Sequence, residues 1–136
     1  MPERRTSDNS LFRSPWLYTL LWALVIFLLC NLHLETSGDI AWYYFDGIDK
    51  MVHGGMFFVL GFLSNWGFYR QRKRPFLSRH AAWFALLLCI VYGGIIEVLQ
   101  GVVFTYRSAD WFDWLFDIGG ALLGLWFFSL FKNRYL

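Results

Sequence analysis

The chain has 136 residues, of which 57% are hydrophobic and 22% aromatic, and its formal net charge is +2. Its mean hydropathy is +0.42. Because typical globular chains are only about 45 to 50% apolar, this composition excludes an ordinary soluble domain. The small net charge gives no sign of a nucleic-acid partner, and the length fits a single domain spanning residues 1–136.

Four apolar stretches follow one another along the chain. A helix crosses a hydrocarbon core of about 30 Å with about 20 residues, at 1.5 Å each. The stretches that meet this length lie near residues 16–34, 51–69, 81–103 and 111–131. The sequence therefore predicts an all-α, polytopic membrane protein in which four transmembrane helices form a bundle.

The basic residues are concentrated in three places. Ten of the twelve Lys and Arg residues precede the first stretch, separate the second from the third, or follow the fourth. Short loops rich in Lys and Arg stay in the cytoplasm. We therefore expect a multi-pass membrane protein with both termini in the cytoplasm, and most of its acidic residues at the outer end.

Polar residues inside the predicted spans need a separate explanation, because an ionisable group in hydrocarbon costs several kcal/mol unless it is paired or hydrated. In this chain, the polar residues all lie at a similar depth, near the outer end of the predicted bundle. These residues are Asp49, Lys50 and His53 at the second span, Glu97 and Gln100 in the third, and Arg107, Asp110, Asp113 and Asp117 around the start of the fourth.

Helical spacing groups these residues by face. Asp49 and His53 are four residues apart and share one side of a helix. Gly93, Glu97 and Gln100 form a second stripe, and a third contains Asp113, Asp117, Gly120 and Gly124. Small residues let helices approach closely in lipid, so the stripes with glycine should face neighbouring helices. The sequence thus predicts one polar pocket that opens outward.

Three segments also carry a family resemblance, which extends from Asp49 to Gly124. The segments DKMVHGGMF, EVLQ and RSADWFDWLFDIGGALLG are similar to those of the VanZ-like family, which has DKxxH, ExxQ and then R, D, N, G and G. Asp117 stands where that family usually has Asn. The resemblance implies a location in a bacterial plasma membrane and a role in the cell envelope, such as tolerance of the glycopeptide teicoplanin, and does not imply a known reaction.

Three readings of the pocket follow. As an enzyme, it would use His53, Glu97 and Asp113 as catalytic residues, with His53 as a general base oriented by a carboxylate. Substrate binding would then fall to Asp49, Lys50, Gln100, Arg107 and Asp117. The pocket could instead bind or transport its ligand without catalysis, or the polar residues could pair across helices and fix their register.

The expected partners are the lipid bilayer and an amphiphilic molecule, either a lipid-linked cell-wall intermediate or a drug, and no nucleic acid. The sequence has no cofactor motif and no metal signature such as HExxH, so no cofactor is expected. A divalent ion held by His53, Glu97, Asp113 and Asp117 remains an open alternative. The sequence leaves the oligomeric state undetermined.

Overall fold

The computed structural model describes residues 14–31, 46–103 and 109–135. Every regular element within these ranges is a helix. The helices are α1 (Pro15–Asn31), α2 (Asp46–Tyr69), α3 (Pro75–Arg79), α4 (Ala81–Val102) and α5 (Trp111–Tyr135). The prediction of an all-α fold is therefore confirmed for the described part of the chain.

Apart from shifts of one residue, the helices differ from the predicted spans in three places. Helix α2 begins at Asp46 rather than at residue 51, α5 continues to Tyr135 rather than to residue 131, and the short α3 was not predicted. The predictions followed apolar runs, whereas helices extend into polar flanks where acidic residues favour the start and basic residues favour the end. Residues 32–34, at the end of the first predicted span, lie outside the described ranges.

Helix α2 lies at the centre and packs against α1, α4 and, most extensively, α5. The Trp16 and Phe68 rings, 4.8 Å apart, join the start of α1 to the end of α2. The Lys132 ammonium lies 4.6 Å from the centre of the Tyr69 ring, so α5 ends beside the end of α2. Helices α2 and α5 therefore run parallel, and the basic residues of 70–79 and of the end of α5 share one end of the bundle, here called the basic end.

Helices α2 and α5 approach each other through small residues. A Cβ added to Gly120 would collide with the backbone carbonyl of Gly54, and one added to Gly124 would collide with that of Phe58. Glycine lets two helix backbones come this close, and in lipid the contact is stabilised by van der Waals packing rather than by a hydrophobic driving force. The predicted small-residue stripe of α5 therefore does face a neighbouring helix.

Two indole hydrogen bonds tie the outer helices to their neighbours. Trp22 of α1 donates through Nε1 to the carbonyl oxygen of Met56 on α2, at 2.9 Å. Trp114 of α5 donates in the same way to the carbonyl oxygen of Ile90 on α4, at 3.0 Å. Carbonyls inside a helix accept a second hydrogen bond through their other lone pair, so these bonds fix helix positions without breaking the helices.

The distribution of polarity is the reverse of that in a soluble protein. Many large apolar side chains are exposed on the outer surfaces of α1, α4 and α5, whereas several polar ones are buried between helices. The buried polar residues are Thr19, His53, Ser64, Asn65, Glu97, Gln100, Asp113 and Asp117. An exposed apolar surface of this extent indicates a membrane environment. Helices α4 and α5 are long and apolar enough to cross a bilayer.

Candidate functional site

A buried histidine–carboxylate pair lies between α2 and α5. His53 is 2% exposed and Asp117 is completely buried. Nδ1 of His53 lies 3.1 Å from Oδ1 of Asp117 and hydrogen-bonds to it. The second oxygen of Asp117, Oδ2, lies against Gly93 of α4, where an added Cβ would be 3.1 Å away. It has no hydrogen-bond partner among the described residues.

The third helix of the site, α4, contributes Glu97. Its Oε2 accepts a hydrogen bond of 2.9 Å from the backbone N–H of Asp110, just before α5. This bond holds the start of α5 against α4. It also provides an acceptor for a backbone N–H that precedes the helix and has no partner within it. Oε1 of Glu97 is buried and has no hydrogen-bond partner in the described part of the chain.

Lys50 reaches the same region from the first turns of α2. Its Nζ lies 3.5 Å from Oδ2 of Asp110 and 4.0 Å from Oδ1 of Asp113. Asp113 is buried and Lys50 is partly exposed, so the pair joins the interior of the site to the surface at this end. The 4.0 Å separation is an ion pair without a hydrogen bond.

Two groups of possible ligand atoms overlap at His53. One set consists of single atoms from Asp49, His53 and Asp113, all within 4.8 Å of one another, and the other of atoms from His53, Glu97 and Asp117 within the same limit. The structure therefore brings together six of the eight predicted site residues. We call these six the polar cluster: Asp49, Lys50, His53, Glu97, Asp113 and Asp117.

Gln100 and Arg107 are the two predicted site residues that remain. Gln100 is buried and donates through Nε2 to the carbonyl oxygen of Cys30, at 2.8 Å, so its amide joins α4 to α1. Any contact of Gln100 with a substrate would therefore be made in addition to this bond between two helices. Arg107 lies outside the described residues, as do Arg4, Arg5 and Arg13 of the first basic segment.

An apolar cleft of about 540 Å³ lies between α4 and α5, beside the polar cluster. We call it the lateral cleft. Its lining residues are Val91, Gly94, Ile95, Glu97, Val98, Leu99, Ala109, Trp111 and Trp114. Glu97 belongs both to this lining and to the polar cluster, so the lateral cleft and the polar cluster meet at this residue.

Comparison with known proteins places this arrangement in a family. A family model described as VanZ/LLP1 matches residues 12–132, nearly the whole chain. The chain belongs to the VanZ/LLP1 family. The predicted resemblance is thereby confirmed.

Among curated proteins, this VanZ/LLP1 member is similar to the uncharacterized protein C11E3.10 of Schizosaccharomyces pombe, with 32% identity over 88 residues. The match covers 65% of the present chain and 51% of the yeast protein, so the chain spans about half the length of that relative. No solved structure matches the present chain. Neither the family description nor the relative's name indicates a cofactor.

The polar cluster of this VanZ/LLP1 protein is rich in acceptors and poor in cations. Three buried carboxylates, Glu97, Asp113 and Asp117, face one imidazole. Within the described ranges, Lys50 is the only Lys or Arg paired with one of them. Such a site can accept hydrogen bonds from hydroxyl and ammonium groups, exchange protons through His53, or hold a cation.

Sequence reasoning missed the lateral cleft and the bond from Asp110 to Glu97. A weak signal for the cleft existed, since Gly93 and Gly94 together leave one side of α4 without side chains opposite the large Trp114. Nothing in the spacing indicated that a backbone N–H before α5 would bond to a carboxylate on α4, because that contact depends on how the two helices pack.

Proposed function

We propose that this protein spans a bacterial plasma membrane four times and binds or processes an amphiphilic envelope molecule at its outer face. The observation that carries the proposal is the position of Glu97, which lines the lateral cleft and belongs to the polar cluster. An amphiphile needs an apolar channel for its hydrophobic part and a polar site for its headgroup, and these two features meet at Glu97.

Helix dimensions support four spans. Helix α1 has 17 residues, about 26 Å at 1.5 Å each, which is at the short end for a spanning helix. Helix α2 has 24 residues but falls short of the apolarity that makes α4 and α5 candidate spans. That difference follows from its central position, because α2 places His53, Ser64 and Asn65 against other helices rather than against lipid.

The charge distribution supports cytoplasmic termini. The basic end of the bundle carries the residues of 70–79 together with Lys132 and Arg134, and the polar cluster lies at the opposite end. Lys and Arg in short loops favour the cytoplasmic side. The polar cluster would therefore face the outer leaflet, where envelope lipids and drugs enter.

Cysteine labelling of intact cells tests this orientation. We expect the Thr36→Cys protein to react with an impermeant maleimide from outside the cells. The Arg72→Cys protein should react only after the cells are opened. The native Cys30 and Cys89 are buried and should contribute little background. Labelling of the Arg72→Cys protein in intact cells, with none at position 36, would reverse the proposed orientation.

The composition of the cluster indicates which headgroups fit. Lys50 already pairs with Asp110 and Asp113, so the described residues offer few free positive charges for an anionic group. One buried carboxylate oxygen each of Glu97 and Asp117 has no hydrogen-bond partner among the described residues and is available as an acceptor. Headgroups rich in hydroxyl or amino groups, as in a lipid-linked cell-wall intermediate or a glycopeptide drug, match these acceptors.

The structure offers a specific observation in favour of a second candidate, a purely structural network. The His53–Asp117 and Lys50–Asp113 contacts each link α2 to α5, and paired polar groups of this kind can fix helix register. The two candidates differ in what they say about the lateral cleft. A structural network has no use for the cleft, whereas an amphiphile-binding protein requires it.

Filling the cleft tests the proposed function without altering the polar cluster. Gly94 lines the cleft, and a Cβ added there would lie 3.7 Å from the Trp114 ring, an ordinary contact. We expect Gly94→Leu to place its side chain in the cleft and to abolish most labelling of the cleft-lining peptides by a phospholipid with a photoreactive acyl chain, as read by mass spectrometry. Glycopeptide tolerance conferred by the protein should fall in parallel.

Gly119→Leu is the matched control for this experiment. An added Cβ at Gly119 on α5 meets no atom within 4 Å, and the residue is exposed. The control should therefore accumulate, be labelled and function as the unmodified protein does. Equal labelling and function of both variants would contradict the proposal and favour the structural network.

A further inference from the structure

We propose that the polar cluster is a binding site for one divalent transition-metal ion, held by His53, Glu97 and Asp117. One ring nitrogen of His53 and one carboxylate oxygen from each acid lie within 4.8 Å of one another. Atoms bound to one ion at about 2.1 to 2.4 Å can be at most about 4.2 to 4.8 Å apart, so small side-chain movements would close this site around an ion.

Unpartnered buried oxygens provide a second, independent observation. Oε1 of Glu97 and Oδ2 of Asp117 are fully buried and form no hydrogen bond with any described residue. The other oxygen of each carboxylate is already used, by the backbone N–H of Asp110 and by Nδ1 of His53 respectively. Each acid is thus oriented by one oxygen and has the other available for an ion, as metal ligands in proteins generally are.

Charge balance supports the same conclusion. Glu97, Asp113 and Asp117 are all at least nine-tenths buried, and Lys50 is the only Lys or Arg within the described ranges that pairs with one of them. Buried carboxylates without compensating charge are strongly unfavourable in a membrane. A dication would compensate two of them.

The donor set indicates which ions fit. Imidazole suits zinc, iron, nickel and copper, whereas carboxylates also suit manganese and magnesium. One imidazole with two carboxylates is therefore matched better by Zn²⁺ or Mn²⁺ than by Ca²⁺ or Mg²⁺, which prefer sites made of oxygen alone. This inference does not depend on the proposed amphiphile, because it concerns the affinity of the protein itself.

Direct binding measurements test the site. The full chain, purified in detergent without a polyhistidine tag and stripped with a chelator, should bind about one Zn²⁺ or Mn²⁺ per molecule with a Kd tighter than about 10 μM. Glu97→Gln should weaken binding about tenfold or more. Asp110→Asn removes the same charge from an acid outside the ligand set and keeps the backbone N–H that bonds to Glu97, so its affinity should stay within about twofold of the unmodified protein.

A second measurement on the unmodified protein applies if Glu97→Gln does not accumulate. A hydrophobic carbodiimide modifies carboxyl groups in apolar surroundings, and a bound ion should protect Glu97 from it, as read by mass spectrometry. Absence of binding to the unmodified protein, equal weakening by Glu97→Gln and Asp110→Asn, or modification of Glu97 that Zn²⁺ and Mn²⁺ do not slow would each overturn the proposal.

Discussion

On the proposed function, replacing His53 by Asn is expected to abolish envelope activity, assayed as glycopeptide tolerance, while the protein still accumulates in the membrane. His53 is the one residue common to both groups of ligand atoms in the polar cluster. The Asn side chain can offer an N–H near the position of Nδ1 and retain the bond to Asp117, but it lacks the second ring nitrogen and cannot exchange a proton near neutral pH. The substitution therefore tests the functional role of His53 separately from its contribution to folding.

The same assay should give loss of function for Glu97→Gln and Asp113→Asn, since both remove charge while keeping shape. Asp117→Asn is a separate test, because Asp117 belongs to the polar cluster. The resembling family usually has Asn at this position, and the amide oxygen can still accept a hydrogen bond from His53, so we expect the variant to accumulate normally but to bind the metal ion more weakly. Variants that lose abundance in proportion to function would indicate a structural network, because breaking a buried pair costs about 3 to 5 kcal/mol.

Gly120→Ala is expected to cause the largest loss of stability. The added Cβ would collide with the backbone carbonyl of Gly54, and a backbone carbonyl cannot move aside as a flexible side chain can. Overpacking of this kind costs about 1 to 3 kcal/mol, and a backbone clash belongs at the upper end. We expect the free energy of unfolding in detergent to fall by about 2 kcal/mol or more, about thirtyfold in the unfolding equilibrium.

The neighbouring Gly119→Ala serves as the control for Gly120→Ala. An added Cβ at that position meets no atom within 4 Å, and alanine has a higher helix propensity than glycine. Its free energy of unfolding should therefore be unchanged or slightly higher. Equal destabilisation by both substitutions would mean that α2 and α5 are not in close contact through Gly54 and Gly120.

Helical periodicity accounts for the part of the site that could be predicted from the sequence. Residues three or four apart lie on one face of a helix whatever its neighbours are. Glu97 with Gly93, and Asp117 with Gly120, were therefore predicted to share faces, and all four are buried between helices. Asp49 was predicted to share a side with His53, and ligand atoms of the two do lie within 4.8 Å of one another. Asp49 is exposed because it lies one turn nearer the start of α2.

The partners of these residues could not be predicted in the same way. That His53 bonds to Asp117, and that Gln100 bonds to the backbone of Cys30, depends on helix order, direction and rotation within the bundle. Hydropathy also gave imprecise helix ends, since the first turns of α2 are polar and were excluded from the predicted span. Periodicity determines which residues share a face, and only packing between helices determines what that face contacts.

The proposed function requires that an amphiphile in the bilayer can reach the polar cluster at Glu97 through the lateral cleft. This access can be measured by treating the membrane-embedded protein with a hydrophobic carbodiimide in the presence of a chelator, followed by peptide mass spectrometry. We predict that Glu97 is modified, that Gly94→Leu prevents the modification, and that Gly119→Leu does not. Modification of Asp49 or Asp110 without Glu97, or a reaction at Glu97 that Gly94→Leu leaves unchanged, would contradict it.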